Sequence, residues 1–156
     1  MSKIEQRLIE LGSPLPEVAK PVAAYAPFAV TGNLVFTAGQ LPFVNGALPV
    51  AGKVGESAGL VDPAVAKGLA RTSALNALAA IKLAIGDLDR VTKVVKVVGF
   101  VASVPEFTGQ PGVINGASEF LVEVLGDAGI HARSAVGVPV LPLDSAVEVE
   151  LIVEFE

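Results

Sequence analysis

The chain has 156 residues, 52% of them apolar and 17% charged, with a mean hydropathy of +0.64. That is too hydrophobic for a disordered segment, yet the longest apolar stretch, Leu75 to Ile85, carries Asn76 and Lys82 and falls short of the ~20 residues of a membrane-spanning helix. Eleven Lys and Arg against 16 Asp and Glu leave a net charge of −5, with no basic cluster beyond Arg90, Lys93 and Lys96, so neither nucleic acid nor membrane is an expected partner. The absence of cysteine excludes disulfides, a thiol nucleophile and thiolate metal sites, and one histidine cannot build a usual zinc site. The opening Met1-Ser-Lys-Ile-Glu-Gln-Arg7 is charged and amphipathic, unlike a signal peptide, and a cytoplasmic address is expected. The length suits a single domain over 1–156, with 1–20 as helix and linker and 21–156 as the core. A domain of this size hides only ~70% of its unfolded surface, so the apolar excess predicts further burial between subunits.

In chain order, Ile4, Leu8 and Leu11 at i, i+4, i+7 predict a short helix ended by Gly12, and Ser13-Pro-Leu-Pro-Glu17 a linker. Tyr25 to Leu41 reads strand, turn, strand, with the turn at Thr31-Gly32-Asn33 and Leu34 to Ala38 as a buried arm. Asn45-Gly46 is a second turn, opening a glycine-rich loop that runs to Gly59. Asp62 as N-cap and Pro63 at the first position start a helix that runs to about Ile85 and stops at Gly86. Val91 to Val101, rich in β-branched residues, predicts a strand with much of both faces buried. Ser103-Val-Pro-Glu106 reads as a capping box ahead of a helix from about Val113 to Leu125, closed by Gly126 and Gly129. In the last segment Val147, Val149, Leu151, Val153 and Phe155 alternate with Glu148, Glu150, Ile152, Glu154 and Glu156, a half-buried strand, with Ala132 to Val138 expected to pair with it. The order β-β-α-β-α-β-β predicts an α+β sheet with two helices packed on one face.

Few residues carry chemistry. Gly46 to Lys53 fails as a phosphate loop, because Val54 stands where Ser or Thr must ligate magnesium. His131 and Ser134, three apart on a strand, point to opposite faces, so His131 reads as an ordinary strand-entry residue. Arg133 is the only Lys or Arg after Lys96 and sits in the apolar run Ala-Arg-Ser-Ala-Val. It needs a partner there: either Glu148 or Glu150 on a neighbouring strand, or a ligand carboxylate gripped bidentately. Glu148 and Glu150 share one face, about 7 Å apart along the strand. Glu150, Glu154 and Glu156 read as a solvated edge, and Glu148, deepest in the strand, as a general acid/base or water-positioning group. Tyr25, the only tyrosine, opens the first strand.

The blocks Phe36-Thr-Ala-Gly-Gln-Leu-Pro42, Val113-Ile-Asn115, Ala132-Arg-Ser134, Leu141-Pro142 and Val147-Glu-Val-Glu150, in order over roughly residues 20–155, resemble the signature blocks of the RidA (YjgF-like, reactive intermediate deaminase) family, whose members also carry the name endoribonuclease L-PSP. The resemblance implies a fold like the bacillus type of chorismate mutase and a homotrimer with clefts between subunits. It implies hydrolysis of 2-iminobutanoate- or 2-iminopropanoate-type imines and enamines to 2-keto acids and ammonia, with no cofactor and no metal. Arg133 falls on the arginine that grips the substrate carboxylate and Glu148 on the glutamate of the attacking water. Tyr25 and Asn115 fall on cleft-lining residues, Gly39 belongs to the strand segment that walls the cleft, and the backbone at Ala135 would meet the imine nitrogen. Ala38 and Ala135 stand where the family often has Ser and Cys, and the N-terminal helix and the 45–60 loop are additions, which together mark a divergent subgroup. The alternatives are a non-catalytic trimer that binds a small carboxylate metabolite, and an endoribonuclease, against which the acidic charge speaks.

Overall fold

The computed structural model describes residues 1–18, 20 and 24–156; Ala19, Pro21, Val22 and Ala23 lie outside the described residues, and with them the expected boundary between linker and core. Helix α1 spans Lys3–Glu10, where the Ser2 and Glu5 side chains form a reciprocal capping box. The Asp89 carboxylate accepts the next free amides, from Lys3 and Ile4, at 2.9 Å each. An ion pair from Lys82 to Glu5 ties α1 to the next helix, and Leu8 is fully buried. Strands β1 (Phe28–Thr31) and β2 (Leu34–Thr37) form the expected hairpin, with Gly32 at φ +56° in its turn. Within β2, Val35 and Thr37 are buried while Phe36 is exposed, so only one side of that arm is covered. Helix α2 spans Pro63–Ile85, capped by Asp62 on the Ala64 amide (2.8 Å) and ended by Gly86 at φ +84°.

Strand β3 (Val91–Ala102), helix α3 (Gln110–Leu125) and strand β4 (Ala132–Val138) form a β-α-β crossover, and β5 (Val147–Phe155) closes the chain. The sheet order is β1-β2-β5-β3-β4. Two sequence expectations are corrected here. Strand β4 does not pair with β5: the crossover helix returns the chain to lay β4 parallel on the outer edge of β3, with Gly99 opposite Ala135. Strand β5 instead inserts antiparallel between β2 and β3, so Glu150 and Glu154 lie on the central strand rather than on an edge. The Ser103–Glu106 capping box does not form either. A helix begun there would carry Pro111 in its interior, where the missing N–H and the ring break it. The helix starts at Gln110, so that Pro111 sits in the first turn, and the Gln110 side chain reaches back to the Phe107 carbonyl (2.7 Å) and Ser103 Oγ (3.1 Å).

Helices α2 and α3 cover one face of the sheet. Val147, Val149, Leu151 and Val153 of β5 and Val94, Val97 and Val101 of β3 are buried against Leu69, Leu78, Ile81, Ile114 and Phe120. The opposite face carries Phe36, Val98, Phe100, Val136, Glu148, Glu150 and Ile152, all half-buried or exposed. The helices cross at Gly116, where an added Cβ would fall 1.9 Å from the Lys67 carbonyl oxygen. The ion pairs Lys67–Glu119 (3.0 Å) and Arg71–Glu123 (2.8 Å) flank the crossing. Gly116→Ala therefore forces the helices apart and should lower stability by about 3 kcal/mol. Gly68→Ala, in α2 with open space around it, should instead gain about 1 kcal/mol of helix propensity. Urea unfolding midpoints of the two variants check this opposite pair of shifts.

Candidate functional site

Arg133 enters β4 opposite Val97 and so points to the helix-covered face, under α3. Asn115 and Ser118, three apart on that helix, present their side chains together. Nη1 of Arg133 donates to Asn115 Oδ1 (2.7 Å) and Ser118 Oγ (3.2 Å), and Nη2 donates to the Pro111 carbonyl (3.3 Å). All three acceptors are neutral. Among the described residues no carboxylate pairs with Arg133, and its Nε–H and second Nη2 hydrogen meet no acceptor there. The internal ion pair with Glu148 or Glu150 does not form. Those glutamates lie on β5, which is not β4's neighbour, and Glu148 pairs with Phe100 on the other face. Ala135, opposite Gly99, shares the face of Arg133, and among the described residues no strand pairs with the outer backbone edge of β4. A cavity of about 520 Å³, lined by Lys53, Ser103, Phe107, Gln110, Gly137 and Pro139, opens beside the first turn of α3 that holds the guanidinium.

Behind Arg133 the cluster continues. His131 Nε2 lies 2.8 Å from Ser118 Oγ, and His131 Nδ1 lies 2.6 Å from the Gly129 carbonyl. Sequence reasoning tested His131 against Ser134 and missed both His131 and Ser118 as members of this cluster. Two signals were present: Ser118 one helical turn after Asn115, and His131 two residues before Arg133, a spacing that puts both on one side of an extended chain.

Glu148 belongs to a different place. It stands on the uncovered face of β5, against Gly39, where an added Cβ would fall 1.8 Å from its Oε1, so a larger residue at 39 would push the carboxylate out of its present position. The segment carrying Gly39 is fixed to β5 by reciprocal amide bonds between Gln40 and Val149 (2.8 and 3.0 Å). Ala38 is tied by its amide to the Pro27 carbonyl (2.8 Å), and Tyr25 is exposed on the segment before β1. Burial, and then the neighbouring charge of Glu150, raise the Glu148 carboxyl above its ordinary value. The structure thus sorts the sequence-expected residues into two groups. Arg133, Asn115 and Ala135 gather at the β4–α3 edge, while Glu148, Gly39 and Ala38 gather on the other face of the sheet, and the two groups do not meet within one chain.

A raised carboxyl has a definite effect on stability. Below its unfolded value Glu148 is protonated in both states and costs nothing. As pH rises through the folded value it must ionise where the unfolded chain ionises more easily, and folding loses stability. Glu148→Gln should therefore melt higher than the native protein at neutral pH, with the gap closing on acidification; paired thermal melts across that range check the sign.

The family model described as "YjgF/chorismate mutase-like, putative endoribonuclease" matches residues 5–155. Protein TCP17 of Trypanosoma cruzi is 40% identical over 97% of this chain and 94% of its own. A protein of unknown function from Agrobacterium tumefaciens is 47% identical, with a TM-score of 0.90, covering 98% of this chain and 92% of that one. E. coli TdcF, with bound serine, is 25% identical with a TM-score of 0.61, covering 91% and 94%. With its α+β fold, its sheet order and a family match over nearly its whole length, the chain belongs to the YjgF (RidA) family.

Proposed function

We propose that the protein hydrolyses reactive 2-imino and enamino acids to 2-keto acids and ammonia, in a homotrimer whose clefts join the Arg133 group of one copy to the Glu148 group of the next. The observation that carries this reading is the guanidinium held by Asn115, Ser118 and Pro111 with no carboxylate partner among the described residues. A positive charge so oriented, and left unneutralised, is a receptor for an anion. The separation of Glu148 on the opposite face supports a site completed by a second copy. So does the uncovered band of Phe36, Val98, Phe100, Val136 and Ile152 on that face, a surface fit for burial between subunits. The serine bound by TdcF carries a carboxylate beside a nitrogen-bearing carbon, the same frame as a 2-imino acid.

The chemistry is an addition followed by an elimination. The substrate R–C(=NH2+)–COO− places its carboxylate on the free Arg133 donors, which fixes the imine carbon relative to Glu148. Ionised Glu148 takes a proton as water oxygen bonds to that carbon and the C=N electron pair moves to nitrogen. It returns that proton to the nitrogen; as the C–N bond breaks the hydroxyl oxygen closes the C=O, and its proton passes through Glu148 to the departing ammonia, giving R–CO–COO− and NH4+. A carboxyl raised toward the working pH suits both halves of that exchange. Asn115 orients the clamp, Gly39 and Ala38 wall the approach, Tyr25 closes the rim, and the Ala135 carbonyl receives the imine N–H. The cavity beside α3 takes the substrate side chain.

The test couples a pyridoxal-phosphate dehydratase to the purified protein and follows imine decay to the keto acid. The native protein should accelerate decay, and Arg133→Ala should abolish the acceleration. Glu148→Gln should lower kcat by at least about 100-fold with KM little changed. No acceleration with any imine from a folded protein overturns the reading. Mixing the two inactive variants through dissociation and reassembly should restore about a quarter of native activity, because in a cyclic trimer each site draws one residue from each neighbour. A site built within one chain restores none.

A further inference from the structure

We propose that His131 is a positioning residue for the Arg133 clamp, acting through Ser118, and that the clamp is set for carboxylate only while this imidazole is neutral. The inference rests on Arg133 receiving a carboxylate, but it does not require turnover.

The direction of every hydrogen bond in the chain is forced. The Gly129 carbonyl can only accept, so Nδ1 of His131 carries its hydrogen and donates across 2.6 Å. In the neutral ring Nε2 is then a lone pair and accepts the Ser118 hydroxyl hydrogen across 2.8 Å. With its hydrogen committed, Ser118 Oγ turns a lone pair to Arg133 and accepts Nη1–H at 3.2 Å. Asn115 Oδ1 accepts the other Nη1 hydrogen. The neutral ring thus gives Ser118 one orientation, and that orientation fixes the Nη1 edge of the guanidinium. The free donors, on Nε and Nη2, then point where a carboxylate would bind.

Protonation reverses the first link. Nε2–H must now donate, so Ser118 Oγ faces two cationic donors and loses its own acceptor. The titratable groups around the ring do not offset this change. Glu119 and Glu123 of α3 line the same groove, but Lys67 pairs with Glu119 and Arg71 with Glu123. Asp127 lies on the turn before the ring, and Arg133 meets the ring through the shared Ser118 hydroxyl. The new positive charge lies on the Nη1 side, nearer to the guanidinium than to a carboxylate held on its far edge. Repulsion that displaces the clamp therefore outweighs the added attraction for the ligand.

The experiment is calorimetric binding of 2-oxobutanoate to the full chain between about pH 8 and pH 5. Native affinity should fall about tenfold on acidification, the scale of one misplaced hydrogen bond to a charged group. His131→Gln keeps an uncharged acceptor in reach of Ser118 and should bind like the native protein at pH 8 but stay flat on acidification. His131→Ala and Ser118→Ala should bind about tenfold more weakly at pH 8. A pH slope in His131→Gln equal to the native one, or undiminished affinity in Ser118→Ala, overturns the proposal. Absence of any 2-oxobutanoate binding to the native protein overturns it as well. If the native protein binds with the expected His131 dependence yet hydrolyses no imine, the positioning stands and the deaminase reading falls.

Discussion

The register of β5 is the constraint on which the rest depends. It is the third of five strands, and its side chains divide strictly: Val147, Val149, Leu151 and Val153 are 0–1% exposed beneath the helices, while Glu148, Glu150, Ile152 and Glu154 take the other face. Each buried aliphatic side chain contributes roughly 1.5–3 kcal/mol over its exposed state. A slip of one residue would forfeit that and bury three carboxylates instead. The register also sets what stands beside what: Val149 pairs with Gln40, which brings Gly39 against Glu148, and the missing Cβ at Gly39 gives the carboxylate its present place. One strand thus specifies the core and places an acid on the opposite surface.

The same sheet that organises the core keeps cation and acid apart. Within one chain Arg133 and Glu148 cannot neutralise each other, since β3 lies between their strands and their side chains leave opposite faces. An ion pair between them would have quenched both groups. Separation leaves an oriented guanidinium with free donors and a carboxyl raised by burial and by Glu150. On the reading proposed for this protein, assembly is what brings the two together, so neither half of the site is spent inside the monomer.

Much of this was legible in the sequence because it follows from local rules. The Asp62-Pro63 start and Gly86 stop of α2, the Gly12 stop after α1, the hairpin at Gly32 and the two-faced pattern of β5 are each decided by a few adjacent residues. What was not legible is which strands become neighbours. Alternation tells which face Glu148 takes but not that β5 slides between β2 and β3, and so the pairing of β4 with β5 was wrong, and of the two partners left open for Arg133 the internal ion pair drops out. The capping box at Ser103–Glu106 fails for a local reason, since a helix begun there would hold Pro111 in its interior, and α3 starts at Gln110, three residues ahead of the expected Val113. The blocks of family resemblance contain Arg133, Asn115 and Glu148 but neither Ser118 nor His131, and the spacings that link those two to Asn115 and Arg133 gain a meaning only when α3 is laid across β4.

The choice of neutral partners for Arg133 has a physical logic of its own. A carboxylate partner would hold the guanidinium more firmly but cancel its charge, and a ligand carboxylate would then have to compete with an acid already in place. Amide, hydroxyl and carbonyl oxygens satisfy the donors on one side while leaving the charge intact. The cost is weaker restraint, and a single neutral acceptor leaves a planar fork free to tilt. Three acceptors spread over two turns of α3, at Pro111, Asn115 and Ser118, remove that freedom. The imidazole behind Ser118 removes the last rotational ambiguity, that of the hydroxyl. On the reading proposed for this protein, rigidity obtained from dipoles rather than from an opposing charge is what lets Arg133, in a chain of net charge −5, keep its charge for a ligand carboxylate.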